Sequence, residues 1–427
     1  MFLLNRDSVK FQVISIAVLL FMGCRSTAPL ITNNATIDSS KDIVIFIDGT
    51  SNTPKDNTNI NKLRNRARVS DSLDTFYTVG VGGGKDFKLT GLAFGVGVKR
   101  DVVEAYDFLT KRYQHNRGDR IHLFGFSRGA YTCQVLSDFI YTVGMIDLEK
   151  PIDSVKKMRL IKKMYRAYRS NITHTERQRR VQSALKKWEA KNGQKITVTP
   201  NITITNLGMF DNVEALAAPD YKEKFCKPNP SHLNQFVNID KVYHAVALDD
   251  NRAQIFTPIL ASCNNIKLRR GKTLDDVVNE VWFSGAHTDV GGGYLDNFEI
   301  SYVSLDWMIN VLKANHFDLF EDVEITDENI EGTIHDSEDT ILGIFYRRRN
   351  RDIPLYLSEN GENYNNGQLN VHSSVIKRLE RGLLPEFKKM KKDSLDWFDK
   401  EPFKKCFDSL EGKRLFKKPC DVIKVVD

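Results

Sequence analysis

The sequence has no apolar run long enough to cross a bilayer as a helix. The apolar stretch near the amino terminus, from Phe11 to Gly23, contains thirteen residues, whereas a spanning helix needs about 20. Hydrophobic residues make up 41% of the chain and charged residues 27%. These proportions are typical of a globular protein and exclude a disordered or polytopic one. No internal repeat stands out, so a repeat architecture is not expected.

Cysteine is scarce, with six residues in 427, and no Cys/His spacing resembles a zinc site. No metal ion and no organic cofactor is expected. Five cysteines lie beyond Cys24, and an odd number cannot pair completely. Cys133 lies on a predicted buried helix, which favours a free thiol in the core. Cys406 and Cys420 form a conceivable disulfide, although the sequence alone does not establish it.

The first 23 residues are typical of a secretory signal peptide, because a weakly basic start precedes a short apolar run. The segment Phe21-Met22-Gly23-Cys24 resembles a bacterial lipobox, in which the cysteine is lipidated and becomes the new amino terminus. We therefore expect a signal peptide at 1–23 and a lipidated tether at 24–41, with Cys24 as the lipidation site. An ordinary cleaved signal peptide or a short anchor helix is the alternative. Arg25 is not the aspartate that retains such proteins at the inner membrane. The expected location is therefore the periplasmic side of the outer membrane, in a bacterial cell envelope.

Short apolar strands alternate with segments of helical period along the chain. Strands are predicted at Ile43 to Ile47, Thr75 to Val81, Arg120 to Phe126, Ile202 to Phe210 and Glu280 to Ser284, and helices at Asp101 to Tyr113, Gly129 to Val143 and Ser301 to Leu312. This alternation predicts an α/β fold, in which a mostly parallel sheet is covered by helices on both faces.

A basic segment interrupts the alternation. Between Ser154 and Lys191 there are thirteen Lys or Arg residues against two acidic ones, a local charge of +11 in a chain of net charge +7. Apolar residues recur there at helical spacing, which predicts a helical insertion at 154–195, after the helix that ends at Val143. A pair of solvated surface helices is the simpler interpretation. The alternative is a lid that contacts anionic phospholipid head groups.

The segment Gly125-Phe126-Ser127-Arg128-Gly129 matches the pattern G-x-S-x-G. It stands where a predicted strand ends and a helix begins, which is the context of a nucleophile elbow. In such a turn the serine oxygen is exposed, and the dipole of the following helix favours an oxyanion. Ser127 is therefore the candidate nucleophile.

A nucleophilic serine needs a base, and the base needs an orienting carboxylate. In this class of fold both follow the serine in the chain, on loops after strands. His287 follows a predicted strand and precedes three glycines, and Asp211 ends the strand that reaches Phe210. They are the candidate base and acid. Asp289, two residues beyond the histidine, is the alternative acid.

Two backbone N–H groups are expected to stabilise an oxyanion. One belongs to Arg128, directly after the serine. The other comes from the loop after the first strand, where Gly49 and Thr50 follow Asp48. A plain strand-ending turn is the alternative interpretation of that loop.

Several segments in fixed order resemble the catalytic domain of type VI secretion phospholipase effectors, the first class of the Tle group. They are Phe46-Ile-Asp-Gly-Thr-Ser-Asn52, Thr58-Asn-Ile60, Gly125-Phe-Ser-Arg-Gly-Ala130, Phe210-Asp-Asn-Val213, Tyr243-His-Ala-Val-Ala-Leu248 and Gly285-Ala-His-Thr-Asp-Val-Gly-Gly-Gly-Tyr294. The resemblance spans roughly residues 42 to 378. It implies an α/β-hydrolase fold with a Ser–Asp–His triad on Ser127, Asp211 and His287, and phospholipase A-type cleavage of ester bonds.

The prediction from the sequence is a serine hydrolase with a catalytic domain at 42–380 and a basic carboxyl-terminal extension at 381–427. It is expected to cleave carboxylic esters of lipids through an acyl-enzyme. A small-ester carboxylesterase with the same triad is one rival. A non-catalytic envelope protein that binds lipid or a partner through its basic helices is another. A phospholipid or other lipid ester is the expected substrate, at a membrane reached through the lipid anchor, and no nucleic-acid partner is expected. An immunity or secretion partner is possible in such a family, and the sequence identifies none.

Overall fold

The computed structural model describes residues 39–50, 52–80, 96–214, 225–226, 235–252, 256–337, 350–358, 364–384 and 396–427. The predicted signal peptide at 1–23, the lipidation site Cys24 and all but the last three residues of the tether at 24–41 lie outside these described residues. They therefore stay predictions. Within the described ranges, no helix has the length and apolarity of a membrane-spanning segment.

One sheet of eight parallel strands forms the centre of the fold. The strands of the described chain are β1 (Asp42–Ile47), β2 (Leu73–Thr78), β3 (Arg120–Phe126), β4 (Met145–Leu148), β5 (Ile196–Thr199), β6 (Ile204–Phe210), β7 (Gln235–Phe236), β8 (Ile239–Ala247), β9 (Lys267–Leu268), β10 (Val278–Phe283), β11 (Leu369–His372), β12 (Phe407–Leu410), β13 (Lys413–Phe416) and β14 (Ile423–Val426). Their order across the main sheet is β14-β11-β10-β8-β6-β3-β1-β2. The remaining strands form three two-stranded pairs, β4 with β5, β7 with β9 and β12 with β13.

The helices follow the strands along the chain. They are α1 (Asn59–Arg66), α2 (Val96–Arg112), α3 (Arg128–Val143), α4 (Ser154–Tyr168), α5 (His174–Asn192), α6 (Leu274–Val277), α7 (His287–Gly291), α8 (Ser301–Ala314), α9 (Asp327–Glu331), α10 (Ile353–Ser358) and α11 (Ser373–Arg381). The strands and helices predicted from the sequence all appear, with ends that differ by a few residues. The α/β fold with a parallel sheet is therefore confirmed.

The main sheet is buried on both faces, as β1 illustrates. Ile43, Ile45 and Ile47 belong to one apolar core, which also contains the buried residues of α2 and α3. Val44 and Phe46 point to the opposite face and belong to a second core with α1 and α8. Successive side chains of a strand alternate between the faces of a sheet, so an uninterrupted apolar strand needs a helical layer on each side. The predicted helices on both faces are confirmed.

The carboxyl-terminal segment 381–427, predicted as a basic extension, contributes a strand to the main sheet. Its last strand, β14, pairs in parallel with β11 and forms one edge of the main sheet. Ile423 of this strand is buried against Leu369 of β11. The strand is hard to recognise in this Lys-rich segment, because a strand at the edge of a sheet needs only one apolar face and can include exposed charged residues. The sheet therefore extends beyond the predicted end at 380.

The basic segment forms α4 and α5, a helical insertion that follows α3 and lies in the chain between the paired strands β4 and β5. α4 packs along α2 in the opposite direction. Lys157, near the start of α4, pairs at 3.4 Å with Asp107, near the end of α2. Partial burial and the positive charge of Arg166, near the end of α4, lower the pKa of Lys99 at the start of α2. The insertion thus extends the helical layer beside the sheet, and these contacts do not support a lid laid across the site.

Two disulfides are present in the described chain, Cys226–Cys263 and Cys406–Cys420. The second is the pair that the sequence made conceivable, and the first was not predicted. Cys133 is a free, buried thiol on α3, as expected.

Candidate active site

Ser127 occupies the turn between β3 and α3 with an unusual backbone. Its φ is 58° and its ψ is −129°, a region that a non-glycine residue adopts only when the surrounding structure enforces it. Its N–H donates to the carbonyl oxygen of Phe210 at 2.9 Å. This hydrogen bond ties the turn to the end of the neighbouring strand β6, and the serine directly precedes helix α3.

The two glycines of the G-x-S-x-G segment are required by close packing. A Cβ at Gly125 would lie 2.5 Å from the backbone nitrogen of Ala130, and one at Gly129 would lie 2.1 Å from the carbonyl oxygen of Ile47. No side chain fits at either distance. The elbow can form only because the helix start approaches the ends of β1 and β3 this closely.

His287 is the first residue of α7, which begins shortly after β10. Its Nε2 atom lies 2.7 Å from Oγ of Ser127. The imidazole packs against the rings of Phe126 and Phe256, with centroid distances of 4.7 and 4.8 Å. This apolar packing keeps the ring in one orientation.

Asp211 directly follows β6 and also has a positive φ, of 39°. Its Oδ2 atom lies 2.5 Å from Nδ1 of His287. Its Oδ1 atom accepts the N–H of Ala247 at 2.9 Å. The structure therefore brings the three residues predicted as nucleophile, base and acid into one hydrogen-bonded chain.

A fourth residue, Arg351, also contacts the aspartate, and the sequence did not indicate it. Its Nη1 atom donates to Oδ1 of Asp211 at 2.7 Å, and its Nη2 atom donates to Oδ2 at 2.8 Å. The side chain is buried. Arg351 ends a cluster of arginines at 347–351, a pattern that usually indicates a solvated surface, so no local signal distinguishes it.

The charges around the imidazole set its protonation. Burial alone would raise the pKa of Asp211, but the charge of Arg351 and hydrogen bonds from His287 and Arg351 hold it well below its usual range. Asp211 is therefore ionised and accepts the Nδ1–H of the histidine. Burial lowers the pKa of His287 itself, and Asp211 opposes this only in part. A neutral imidazole results, whose Nε2 atom accepts the hydroxyl proton of Ser127.

Asp289, the alternative acid, is committed to another histidine. Its Oδ1 atom lies 2.6 Å from Nδ1 of His335, and its Oδ2 atom accepts the backbone N–H of Ala286 at 2.9 Å. Asp250 is the second carboxylate near the base. It accepts the N–H of His287 at 3.2 Å and pairs with Arg252 at 2.6 Å. The geometry thus favours Asp211 over Asp289 as the partner of the imidazole.

The loop after β1 differs in one respect from its prediction. The N–H of Gly49 donates to Oδ1 of Asp48 at 2.7 Å, so this group is not available for an oxyanion. Gly49 serves close packing instead, because a Cβ there would lie 2.8 Å from Cδ1 of Phe126. The Nε atom of Arg128 donates to Oγ1 of Thr50 and ties the loop to the helix start. Thr50 remains the candidate donor of this loop, together with Arg128, which directly follows Ser127 and is the first residue of α3.

No group of three or more His, Cys, Asp or Glu side chains in the described ranges has the arrangement of a metal site. The side chains that the structure brings together at the site are a serine, an imidazole and a carboxylate. Such a set activates a hydroxyl oxygen for attack on a carbonyl carbon.

A serine on a strand-to-helix elbow, with an aspartate and a histidine that follow later strands of the same parallel sheet, defines the α/β-hydrolase class. Within this class the chain belongs to the family described as T6SS, phospholipase effector Tle1-like, catalytic domain, which it matches over residues 41–311.

Individual relatives are more distant. The chain is 27% identical over 261 residues to the uncharacterized protein YEL023C of Saccharomyces cerevisiae. The aligned region covers 53% of this chain and 36% of the yeast protein. The crystal structure of an uncharacterized protein from Pseudomonas aeruginosa matches with 16% identity and a TM-score of 0.33, over 70% of this chain and 49% of that one. A structure of the Tle1 effector bound to the VgrG spike of the type 6 secretion system matches with 17% identity and a TM-score of 0.30, over 60% and 51%. The chain thus spans about a third of the yeast protein and about half of each of these two structures.

Proposed function

We propose that the protein is a serine hydrolase that cleaves carboxylic ester bonds of lipids, with phospholipase A-type specificity, through an acyl-enzyme. The observation that carries this proposal is the chain of two hydrogen bonds, 2.7 Å from Ser127 to His287 and 2.5 Å from His287 to Asp211. The family match supports a phospholipid as the substrate. The first product would be a lysophospholipid, and the second a free fatty acid.

The proposed reaction begins when Nε2 of His287 takes the hydroxyl proton of Ser127 as the serine oxygen attacks the ester carbonyl carbon. Asp211 stabilises the imidazolium that forms. The carbonyl oxygen becomes an oxyanion and accepts hydrogen bonds from the N–H groups of Arg128 and Thr50. Collapse of this intermediate breaks the ester bond, and the imidazolium gives its proton to the leaving alcohol.

The second half of the cycle repeats these roles with water. His287 takes a proton from a water molecule, which attacks the acyl-enzyme carbonyl. The fatty acid leaves as the bond to Ser127 breaks, and the imidazolium returns its proton to the serine oxygen. Every proton is accounted for by the imidazole. The scheme assigns no role to a metal ion.

We also propose that Cys24 carries a lipid and anchors the protein on the periplasmic side of the outer membrane of a bacterium. The lipobox-like segment before Cys24 supports this placement. An anchored enzyme would meet its substrate in the membrane that holds it. The polar tether would give the catalytic domain reach along that surface.

The proposal is tested by incubating the purified protein with phospholipid vesicles and identifying the lipid products by mass spectrometry. The wild type should release lysophospholipid and fatty acid, and Ser127→Ala should release neither. Ser137→Ala is the matched control, because Ser137 is also buried on α3 but bonds to Asn238, so its products should be unchanged.

Other results would support the rivals. Hydrolysis of a short-chain nitrophenyl ester without any attack on vesicles would indicate a small-ester carboxylesterase. Failure of a fluorophosphonate probe to label Ser127 in the folded protein would indicate a non-catalytic envelope protein.

A further inference from the structure

Within the described ranges, the guanidinium of Arg351 makes four hydrogen bonds, two to the candidate acid Asp211 and two to backbone carbonyl oxygens beside it. Besides its two bonds to Asp211, its Nη1 atom donates to the carbonyl oxygen of Ala247 at 2.6 Å, and its Nη2 atom donates to that of Phe256 at 2.7 Å. Ala247 ends β8, and Phe256 packs on the imidazole of His287. One guanidinium thus links the acid, the neighbouring strand end and the residue that covers the base.

The carboxylate of Asp211 is saturated with donors as a result. Oδ1 accepts from Ala247 N–H and from Arg351, and Oδ2 accepts from His287 and from Arg351. A carboxylate offers about four acceptor positions, so all are in use. A rotation of the carboxylate would break a bond to a buried, charged donor, which is among the stronger hydrogen bonds in proteins.

We infer that Arg351 is a positioning residue of the site, whose guanidinium fixes the Asp211 carboxylate against His287 and balances its charge. The inference rests on the proposed function, because it assigns Arg351 a part in the same reaction. Arg351 lies 40 residues beyond the end of the family match at 311. The segment at 350–358 therefore completes a site whose other members lie within the matched region.

The charge balance has a direct consequence for the base. Among the described residues, the charged groups beside His287 are Asp211, Asp250 and Arg252, and Arg351 pairs with Asp211, so that these four charges sum to zero. Asp289, on the same helix as the base, is paired with His335. Protonation of the imidazole therefore adds a net positive charge to a buried, neutral cluster, which is unfavourable. Without Arg351 the same protonation would neutralise a buried negative charge, which is favourable.

The inference is tested with Arg351→Met and Arg351→Lys, assayed as kcat/KM against pH on a soluble nitrophenyl ester. In Arg351→Met the acidic limb of the profile should move to higher pH by about one unit or more. Its plateau should fall on the order of 10²-fold, because the acid is no longer held in place. Arg351→Lys keeps the charge but loses the two-pronged contact. It should leave the acidic limb near its wild-type pH, with a lowered plateau.

Arg378→Met is the matched control. Arg378 is also buried, and it donates to the backbone carbonyl oxygens of Ile330 and Gly332 without touching the candidate triad. Its replacement should lower the melting temperature and leave both the plateau and the acidic limb in place. A merely structural Arg351 would behave in the same way, so that result for Arg351→Met would overturn the inference. If Arg351→Met does not fold, a wild-type plateau in Arg351→Lys would overturn it instead.

A second measurement does not depend on ester hydrolysis. The titration of His287 is followed by nuclear magnetic resonance of histidine-labelled protein, with His287→Gln to assign its signal. Loss of Arg351 should raise the pKa of this imidazole, whether or not the protein cleaves the ester. An inactive wild type with this change intact would contradict the proposed function alone, and an unchanged titration would contradict the role of Arg351 alone.

Discussion

The backbone N–H of Ser127 donates to the carbonyl oxygen of Phe210 at 2.9 Å, so the serine is bonded to the residue that directly precedes Asp211. β3 and β6 are neighbours in the sheet, and Phe126 lies beside Phe210 in their register. The separation between candidate nucleophile and candidate acid is therefore fixed by strand pairing. His287 follows β10, which is separated from β6 by β8 in the sheet. Its ring contacts both Ser127 and Asp211.

We predict that Ser127→Ala and His287→Ala each reduce turnover of a short-chain ester by several orders of magnitude. The double variant should be scarcely slower than either single one, because the residues act as a unit and their losses do not add. Asp211→Asn should be severe as well, of the order of 10⁴-fold, because the imidazole loses the partner that fixes its tautomer. Steady-state kinetics of the four purified variants check this prediction.

Asp289→Asn provides the comparison. Asp289 is buried two residues from the base, but its carboxylate bonds to His335 instead of His287. Its replacement should therefore cost much less activity than Asp211→Asn. The opposite order would mean that the acid has been misassigned, and near-wild-type turnover in Ser127→Ala or His287→Ala would remove the proposed mechanism.

A pH dependence of stability is predicted at Asp48, which anchors the loop after β1. Burial raises its pKa from 3.8 to about 6, although the hydroxyl groups of Thr58 and Tyr77 and the N–H of Gly49 donate to it. Between these two values the folded state binds more protons at Asp48 than the unfolded state does. The contribution of Asp48 to stability therefore falls as the pH rises through that window.

Asp48→Asn removes this titration, so the variant should gain stability relative to the wild type between about pH 4 and about pH 7. Thermal unfolding of both proteins at the two pH values measures the change. Asp101 and Asp249, whose pKa values burial raises to about 7, titrate in both proteins and cancel in the comparison. A melting-temperature difference that is the same at both pH values would contradict the prediction.

The fold could be predicted wherever a strand is apolar by itself. β1 and β3 are such strands, and both were placed correctly. β8 is central in the sheet, yet its sequence contains Asp240, Lys241 and His244 and gives no strand signal. His244 is tolerated there because its Nδ1 atom lies 2.6 Å from Glu280 of the adjacent β10. The compensation of one buried polar group by another on a separate strand is invisible in either segment alone.

The same distinction separates the residues of the site. Ser127, Asp211 and His287 could be predicted because each follows a strand and has a local pattern. Arg351 could not, because its role depends on a contact with a residue 140 positions away. The role of the Gly49 N–H could not be read from the sequence for a similar reason, because a hydrogen bond to the side chain of the preceding Asp48 decides it.

Lipid attachment at Cys24 predicts a specific processing defect. Cys24→Ser should prevent both acylation and cleavage, so that the uncleaved precursor accumulates in the membrane. Metabolic labelling with palmitate, followed by immunoprecipitation, measures the attachment. Cys133→Ser is the matched control, because Cys133 is a free, buried thiol of the core, and its labelling should equal that of the wild type. Labelling of Cys24→Ser at the wild-type level would exclude the anchor.

The last prediction concerns the exposed basic face of α4, formed by Lys162, Arg166 and Arg169. These residues lie towards the end of the helix that approaches Lys99 and the start of α2. Lys156 and Lys157, at the other end, are already paired with Asp153 and Asp107, so they are poor candidates for a lipid contact. Each exposed cation near an anionic bilayer contributes about 1 kcal/mol of attraction.

Replacement of Lys162, Arg166 and Arg169 by glutamine should therefore weaken binding to anionic vesicles strongly and leave binding to neutral vesicles unchanged. Hydrolysis of a soluble ester should stay near the wild-type rate, because α4 contributes no residue to the site. A raised salt concentration should weaken binding of the wild type to anionic vesicles in the same way, since exposed charges are screened over about 8 Å at physiological ionic strength. The matched control replaces the exposed residues Lys186, Lys187 and Lys191 on α5 by glutamine. This change removes the same charge from the opposite end of the insertion. Vesicle sedimentation compares the two triple variants. Equally weakened binding by both variants would show that net charge matters and the face of α4 does not. Wild-type binding by both variants would identify the insertion as a pair of solvated surface helices.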